Sequence, residues 1–423
     1  MLKTPQTLRL HLGIFGRTNV GKSTLLNLIT GQETAVTSPH PGTTTDAVIK
    51  SMELLPLGPV LLLDTAGLDD ASVLGDARIQ ATEKTFNRTD VAVLVLEAPT
   101  WTDYEEEIVN RCRRAGIPCL AVIGKIDLGA PSPEYLEVVR AKTADVLEVS
   151  ALETASRCAF LDRFKAAVLQ LCPEDFLAPP PLLGDLLEEK KTCILIVPID
   201  LEAPRGRIIL PQVQAIRDLL DHDQAALVVK EDGYRACLEN LRTPPGLVVC
   251  DSQVVERMVA ETPGSVPCTT FSILLARRIG DLAGAVRATR EIDRLRDKDR
   301  ILIAEACTHH PLEDDIGRVK IPRWLRQYTG RDLEIETRPG RNFPDDLGRY
   351  RLIIHCGGCM ISRREMLLRL REAAAAGVPV TNYGVCISYL RGVLGRVIAP
   401  FNLVPAKEGG DTTENNADET RTV

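Results

Sequence analysis

The sequence predicts an α/β protein of three α/β units, the first a P-loop unit with a doubly wound, mostly parallel sheet. Three observations predict it. Short apolar runs alternate with helical patterns along most of the 423 residues. A phosphate-loop pattern falls between one such run and a helix. A proline-rich stretch then interrupts the rhythm, which restarts beyond it. At 46.4 kDa the chain also exceeds what one core usually holds, so more than one domain is expected.

Taken in order, LRLHLGIFG, KSTLLNLITG, VLLLDTAG, VAVLVLEA and CLAVIGKID form the first rhythm, and the first domain is placed at 1–175. Residues 176–192 hold a triple proline and a charge cluster and read as a semi-rigid linker. From Cys193, CILIVPID, PQVQAIRDLLDHD, AALVVKE and LVVCD give a small middle unit, 193–265. Helical TTFSILLARRIGDLAGAVRATREIDRL and strand-like ILIAEAC, LEIETRPG, LIIHC and VPVTN give the third, 266–401. The polar tail, 402–423, lacks apolar anchors and is expected to be disordered.

Composition narrows the class. Apolar residues make up 44% and charged residues 26%, as in ordinary globular chains. A net charge of -7 lacks the basic surface that phosphate neutralisation needs, so no nucleic-acid partner is expected. No stretch approaches the roughly 18 apolar residues of a membrane helix, and MLKTPQTLRLHLGIFG lacks the layout of a cleaved leader. A cytoplasmic protein with no membrane contact is therefore expected. In a reducing compartment its 12 cysteines read as buried side chains or metal ligands, not disulfides.

GRTNVGKST satisfies G-x-x-x-x-G-K-[ST] from Gly16 to Ser23. Gly16 and Gly21 let the loop wrap closely, so that backbone N–H groups from Asn19 and Val20 to Thr24 face phosphate oxygens. Lys22 neutralises charge on the β and γ phosphates, and Ser23 ligates magnesium. In LLLDTAG, Asp64 ends a strand where its carboxylate holds magnesium through water, and the Gly67 backbone senses the γ-phosphate. In GKID, Asp127 accepts from paired donors on a guanine edge, and the Lys125 stem covers the ring.

Together GRTNVGKS, PGTTTD, DTAG, GKID and Ser150-Ala151 resemble the motifs of translation-factor-type GTPases. That resemblance implies GTP and Mg2+ as ligands, Thr44 as the switch threonine on magnesium, and Ser150 and Ala151 beside the base. It makes Lys22, Thr44, Asp64 and Gly67 the catalytic set. Asn19 matches the potassium ligand of the potassium-activated branch, so K+ stimulation is expected. Leu68 stands where Ras-like enzymes carry a water-orienting glutamine, which implies slow unaided turnover. Gly124 replaces that family's asparagine, which weakens the grip on guanine.

A second constellation lies in the third unit. Cys307-x-His309 and His355-Cys356-x-x-Cys359 each follow an apolar strand, and in a parallel sheet both emerge at the same carboxyl edge. Gly357 and Gly358 let the two thiols turn toward one centre and keep its outer side uncrowded, and Ser362 caps the helix that follows. By spacing alone, zinc, an iron-sulfur cluster and a redox dithiol all fit. The C-x-H and H-C-x-x-C pair, joined to a potassium-type GTPase and a middle α/β unit, is similar to the HydF family of FeFe-hydrogenase maturation GTPases, over all but the tail. The resemblance implies a 4Fe-4S cluster on Cys307, Cys356 and Cys359, with His309 and His355 as candidates for the exchangeable fourth position. It implies a GTP-hydrolysing scaffold and carrier that passes a di-iron precursor to apo-FeFe-hydrogenase. Radical-SAM hydrogenase maturases would be partners, and the middle unit would be a homodimerisation domain. The alternative is a regulatory GTPase with a zinc-held C-terminal interaction module.

Overall fold

A computed structural model describes residues 8–31, 48–64, 83, 85–150, 157–199, 208–307, 315–340, 343–344 and 346–404. The chain divides into two compact units, one comprising 1–180 with 360–369, the other 181–359 with 370–423. Mixed α/β architecture with parallel sheets is observed throughout, as the sequence predicts.

The first unit carries a six-stranded sheet in the order β2-β3-β1-β4-β5-β6. Its strands are β1 (Leu10–Phe15), β2 (Val48–Leu54), β3 (Gly58–Asp64), β4 (Val91–Glu97), β5 (Cys119–Gly124) and β6 (Asp145–Glu148). All neighbours are parallel except β2, which pairs antiparallel with β3 at the edge. β1 is buried at every position, as a strand covered on both faces must be, which is why it reads as a run and not as an alternation. Helices α1 (Lys22–Thr30), α2 (Asp103–Ala115) and α3 (Pro133–Lys142) fall between strands, and α4 (Arg157–Leu171) follows β6. β1 lies between β3 and β4, so the strand order reverses at β1. A crevice at the carboxyl ends of these strands follows from that reversal, and the phosphate loop opens into it.

The second unit holds two four-stranded parallel sheets. In the first, β7 (Thr192–Ile196), β8 (Ala225–Val229), β9 (Leu247–Cys250) and β10 (Cys268–Thr270) take the order β10-β9-β7-β8. In the other, β11 (Arg300–Ala304), β12 (Glu334–Arg338), β13 (Leu352–His355) and β14 (Val380–Asn382) take the order β12-β11-β13-β14. Ile194 and Val248 of one sheet and Ile301, Ile303 and Ile354 of the other belong to one hydrophobic cluster. Two sheets too small to stand alone thus share a core.

Two boundaries differ from those placed on the sequence. The strand 268–270, put beyond the middle unit 193–265, pairs with β9. A three-residue strand followed at once by helix α5 (Phe271–Ile279) shows no period of its own, so the helix pattern hides it. Within the expected linker 176–192, Leu182 and Leu183 are buried in the core of the β7 sheet. Asp218 fixes them there by accepting from the N–H groups of Leu182, Leu183 and Gly184 at 2.8–3.0 Å. Among the described residues no helix is long and apolar enough to cross a membrane.

Candidate functional site

The phosphate loop occupies the turn between β1 and α1. Gly16 has φ 149°, and a Cβ there would sit 2.6 Å from the Val95 carbonyl, so only glycine fits. Asn19, at φ 61°, and Gly21, at φ 106°, are also left-handed, and that backbone turns successive N–H groups toward one side. Val20 is buried against the sheet, while Ser23 and Thr24 are on the first turn of α1. Lys22 is buried, and its ammonium lies on the loop itself, donating to the Gly16 carbonyl and to Arg17 O at 2.7 Å. Asp64 ends β3, level with Ile14 of β1. It is almost fully buried, and neither carboxylate oxygen has a hydrogen-bond partner among the described residues. Burial holds this carboxyl above its usual range, against the pull of Lys22 and Lys50. A buried, orphaned carboxylate beside the loop fits a magnesium site.

The base side forms at the ends of β5 and β6. Lys125, at φ 57°, donates to Asn19 O at 2.9 Å and pairs with Glu97 at 2.6 Å, which ties the loop after β5 to the phosphate loop. Asp127 accepts from Ser150 Oγ at 2.9 Å, which orients its carboxylate while leaving it partly exposed. A Cβ at Gly124 would lie 3.8 Å from both Val20 O and Leu96 O, an ordinary contact, so crowding does not demand glycine there.

Cys307 and the Cys356–Cys359 turn follow neighbouring strands at the carboxyl edge of the second sheet of the other unit. β11 and β13 are parallel neighbours with Ala304 opposite His355, so the chain leaves both strands side by side. Cys356 N–H donates to Ala304 O at 2.9 Å, and Ala306 N–H donates to Cys356 Sγ at 3.1 Å. After β12, Gly340 N–H donates to Cys307 O at 3.1 Å. Burial pushes the Cys307 thiol up to about 11 and the Cys359 thiol up to about 12. Charge at Cys356 adds to both shifts, and Cys307 adds to that of Cys359, so the three thiols share one electrostatic neighbourhood. His355 is buried, with Nδ1 donating to the Cys356 carbonyl at 2.8 Å. Three thiols, one of them carrying a backbone N–H on its sulfur, are a donor set that suits an iron-sulfur cluster. Among the described residues no group of three or more His, Cys, Asp or Glu is set to grip a metal ion.

The two glycines divide their work differently from expectation. Gly358, at φ 69°, makes the left-handed turn. A Cβ on Gly357 would meet Leu275 Cδ1 at 3.1 Å, so this glycine permits close packing on α5 and does not keep a face open. Ser362 caps as expected: its hydroxyl accepts from Glu365 N–H, and its own N–H donates to Glu365 Oε2.

Comparison with known proteins matches three consecutive segments. Residues 11–125 match the 50S ribosome-binding GTPase model, residues 182–280 the hydrogen maturase F dimerization domain, and residues 283–400 the hydrogen maturase F tetramerization domain. The chain belongs to the hydrogen maturase F family. Relatives of the GTPase part include GTPase Era of Thermoanaerobacter sp. (strain X514), 28% identical over 243 residues, which cover 53% of this chain and 75% of that protein. The tRNA modification GTPase MnmE of Picosynechococcus sp. is 35% identical over 158 residues, 34% of each chain. Among solved structures, a single-residue variant of Aquifex aeolicus Era bound to GDP.AlF4- aligns over 52% of this chain and 92% of its own, at 22% identity and a TM-score of 0.33.

In this hydrogen maturase F chain, Gly16, Asn19, Val20, Gly21, Lys22, Ser23, Thr24, Asp64, Lys125, Asp127 and Ser150 gather at one sheet edge. Thr44, Gly67, Ala151 and His309 lie outside the described residues. Sequence reasoning missed Glu97 and Glu105. Glu97 carried no signal beyond closing an apolar run. Thr102-x-x-Glu105 is legible as a capping box, but nothing local says that its carboxylate also reaches the phosphate loop.

Proposed function

We propose that this hydrogenase-maturation GTPase is a scaffold and carrier that holds a 4Fe-4S cluster on Cys307, Cys356 and Cys359 and delivers a di-iron precursor to apo-FeFe-hydrogenase. The convergence of three thiols at one strand edge, in a chain with hydrogen maturase F domains, carries this reading. The cluster, when bound, supplies an iron with an exchangeable ligand. Around it, Ala306 N–H stabilises charge on Cys356, and His355 supports the Cys356 carbonyl, which makes the histidine a brace for the loop. In the GTPase unit, Asp64 and Ser23 hold magnesium with Thr44, Asn19 holds potassium, and Lys22 draws charge from the phosphates. GTP hydrolysis switches the affinity for the partners, radical-SAM maturases and apo-hydrogenase among them.

Anaerobically purified protein should carry about four irons and four acid-labile sulfides per chain, and loaded protein should activate apo-hydrogenase. One zinc without sulfide would favour the regulatory GTPase with a zinc-held module.

Self-association belongs to the same reading. β8 is an edge strand, and Leu227 and Val228 on it are exposed, as are Val213 and Leu220 on the helix Leu210–Asp221. An uncovered apolar edge of this kind invites pairing with a second copy. Light scattering should find a dimer or larger assembly, and Leu227→Asp should shift it toward smaller species. An unchanged assembly would place the interface elsewhere.

A further inference from the structure

Arg17, the first variable residue of the phosphate loop, is held from behind. Its Nε donates to Glu105 Oε1 at 2.6 Å, and Glu105, on the first turn of α2, is fully buried while the Arg17 side chain is 30% exposed. The second carboxylate oxygen accepts from Thr102 N–H at 2.8 Å and from the Thr102 hydroxyl. Every bond of the capping box is therefore made, and one oxygen remains for the guanidinium. The Tyr104 hydroxyl sits 3.4 Å from Gly16 N, within reach of the same loop. Tyr135 lies in the same electrostatic neighbourhood: burial and then the charge of Glu105 push its phenol up to about 12, and its hydroxyl donates to Thr100 O at 3.1 Å.

A fully buried carboxylate is tolerated only when its charge is met, and here the meeting group is a phosphate-loop side chain. On its other side, the Arg17 carbonyl receives Lys22 Nζ at 2.7 Å. The position of Arg17 therefore helps set the position of Lys22.

We infer that Glu105 is a positioning residue for nucleotide binding: through Arg17 it holds the phosphate loop in its receptive shape before nucleotide arrives. This rests on the GTPase reading. A loop freed from α2 spends part of its time in other conformations, and apparent affinity falls by that fraction. Bound GTP restores the shape, so turnover at saturation is kept.

Glu105→Gln tests this, because glutamine keeps the capping box and removes the charge that grips Arg17. In the full chain, KM for GTP and Kd for a fluorescent GTP analogue should rise about tenfold, with kcat within about twofold of wild type. Arg17→Met should do the same, and the double variant should match the single variants, since all three break one contact. An unchanged KM, a loss confined to kcat, or a double variant showing the product of both effects overturns the inference. If the wild type itself fails to bind the analogue, the GTPase reading falls and this inference falls with it.

Discussion

Lys22→Ala will reduce GTP hydrolysis by about a hundredfold to a thousandfold, the usual cost of removing a charge aimed at transferring phosphate oxygens. The fold will survive. Lys22 opens α1, where alanine is a good helix former, and the two carbonyls that its ammonium contacts, of Gly16 and Arg17, belong to the phosphate loop and not to the sheet core. Asp64→Asn should lower turnover as well, for a different reason. The carboxylate is buried without a hydrogen-bond partner among the described residues, so its charge is costly in the empty protein and is justified by a cation that offsets it. The two variants should therefore separate in a magnesium titration. Lys22→Ala keeps its magnesium dependence at a lower ceiling, whereas Asp64→Asn needs far more magnesium for whatever rate it retains. Turnover in potassium should exceed that in sodium, and equal rates would remove Asn19 from the cation site. Full activity of Lys22→Ala would sink the nucleotide site altogether.

Cys356→Ser will strip anaerobically prepared protein of most of its iron and acid-labile sulfide while leaving GTP turnover within about twofold of wild type, as expected for sites in separate compact units. Serine preserves the acceptor for Ala306 N–H, so the loop between β13 and the capped helix keeps its shape. Only the soft ligand is lost, and a hydroxyl is a poor ligand for iron beside sulfide. The effect should exceed that of His355→Gln, because Nδ1 of His355 serves the Cys356 carbonyl. Retention of the full iron and sulfide content in Cys356→Ser would exclude the three-thiol site.

The nucleotide site was largely legible because its chemistry is local. Gly16 to Thr24 form one turn, and the constraints on them, a left-handed backbone and a carbonyl too near for a Cβ, act within a few residues. Other contacts were not legible. Lys125 Nζ on Asn19 O and Glu105 on Arg17 join residues 106 and 88 apart, and no period or spacing encodes which carboxylate crosses to which loop. The buried stretch Leu182–Leu183 failed for a related reason: a triple proline nearby signals a linker, and only Asp218, from a distant helix, turns it into core.

The HCGGC segment marks the division most clearly. By itself the sequence determined that two thiols and two glycines follow a strand, and that a C-x-H element follows another. Tertiary structure decided that the two strands are parallel neighbours, which brings Cys307 to Cys356 and Cys359. It also gave the glycines separate tasks, a left-handed turn at Gly358 and contact with Leu275 at Gly357. The physical reason is one of range. Backbone conformation and capping are set by neighbours along the chain, whereas strand order and the partner across a packed face are set by how the whole apolar surface is buried.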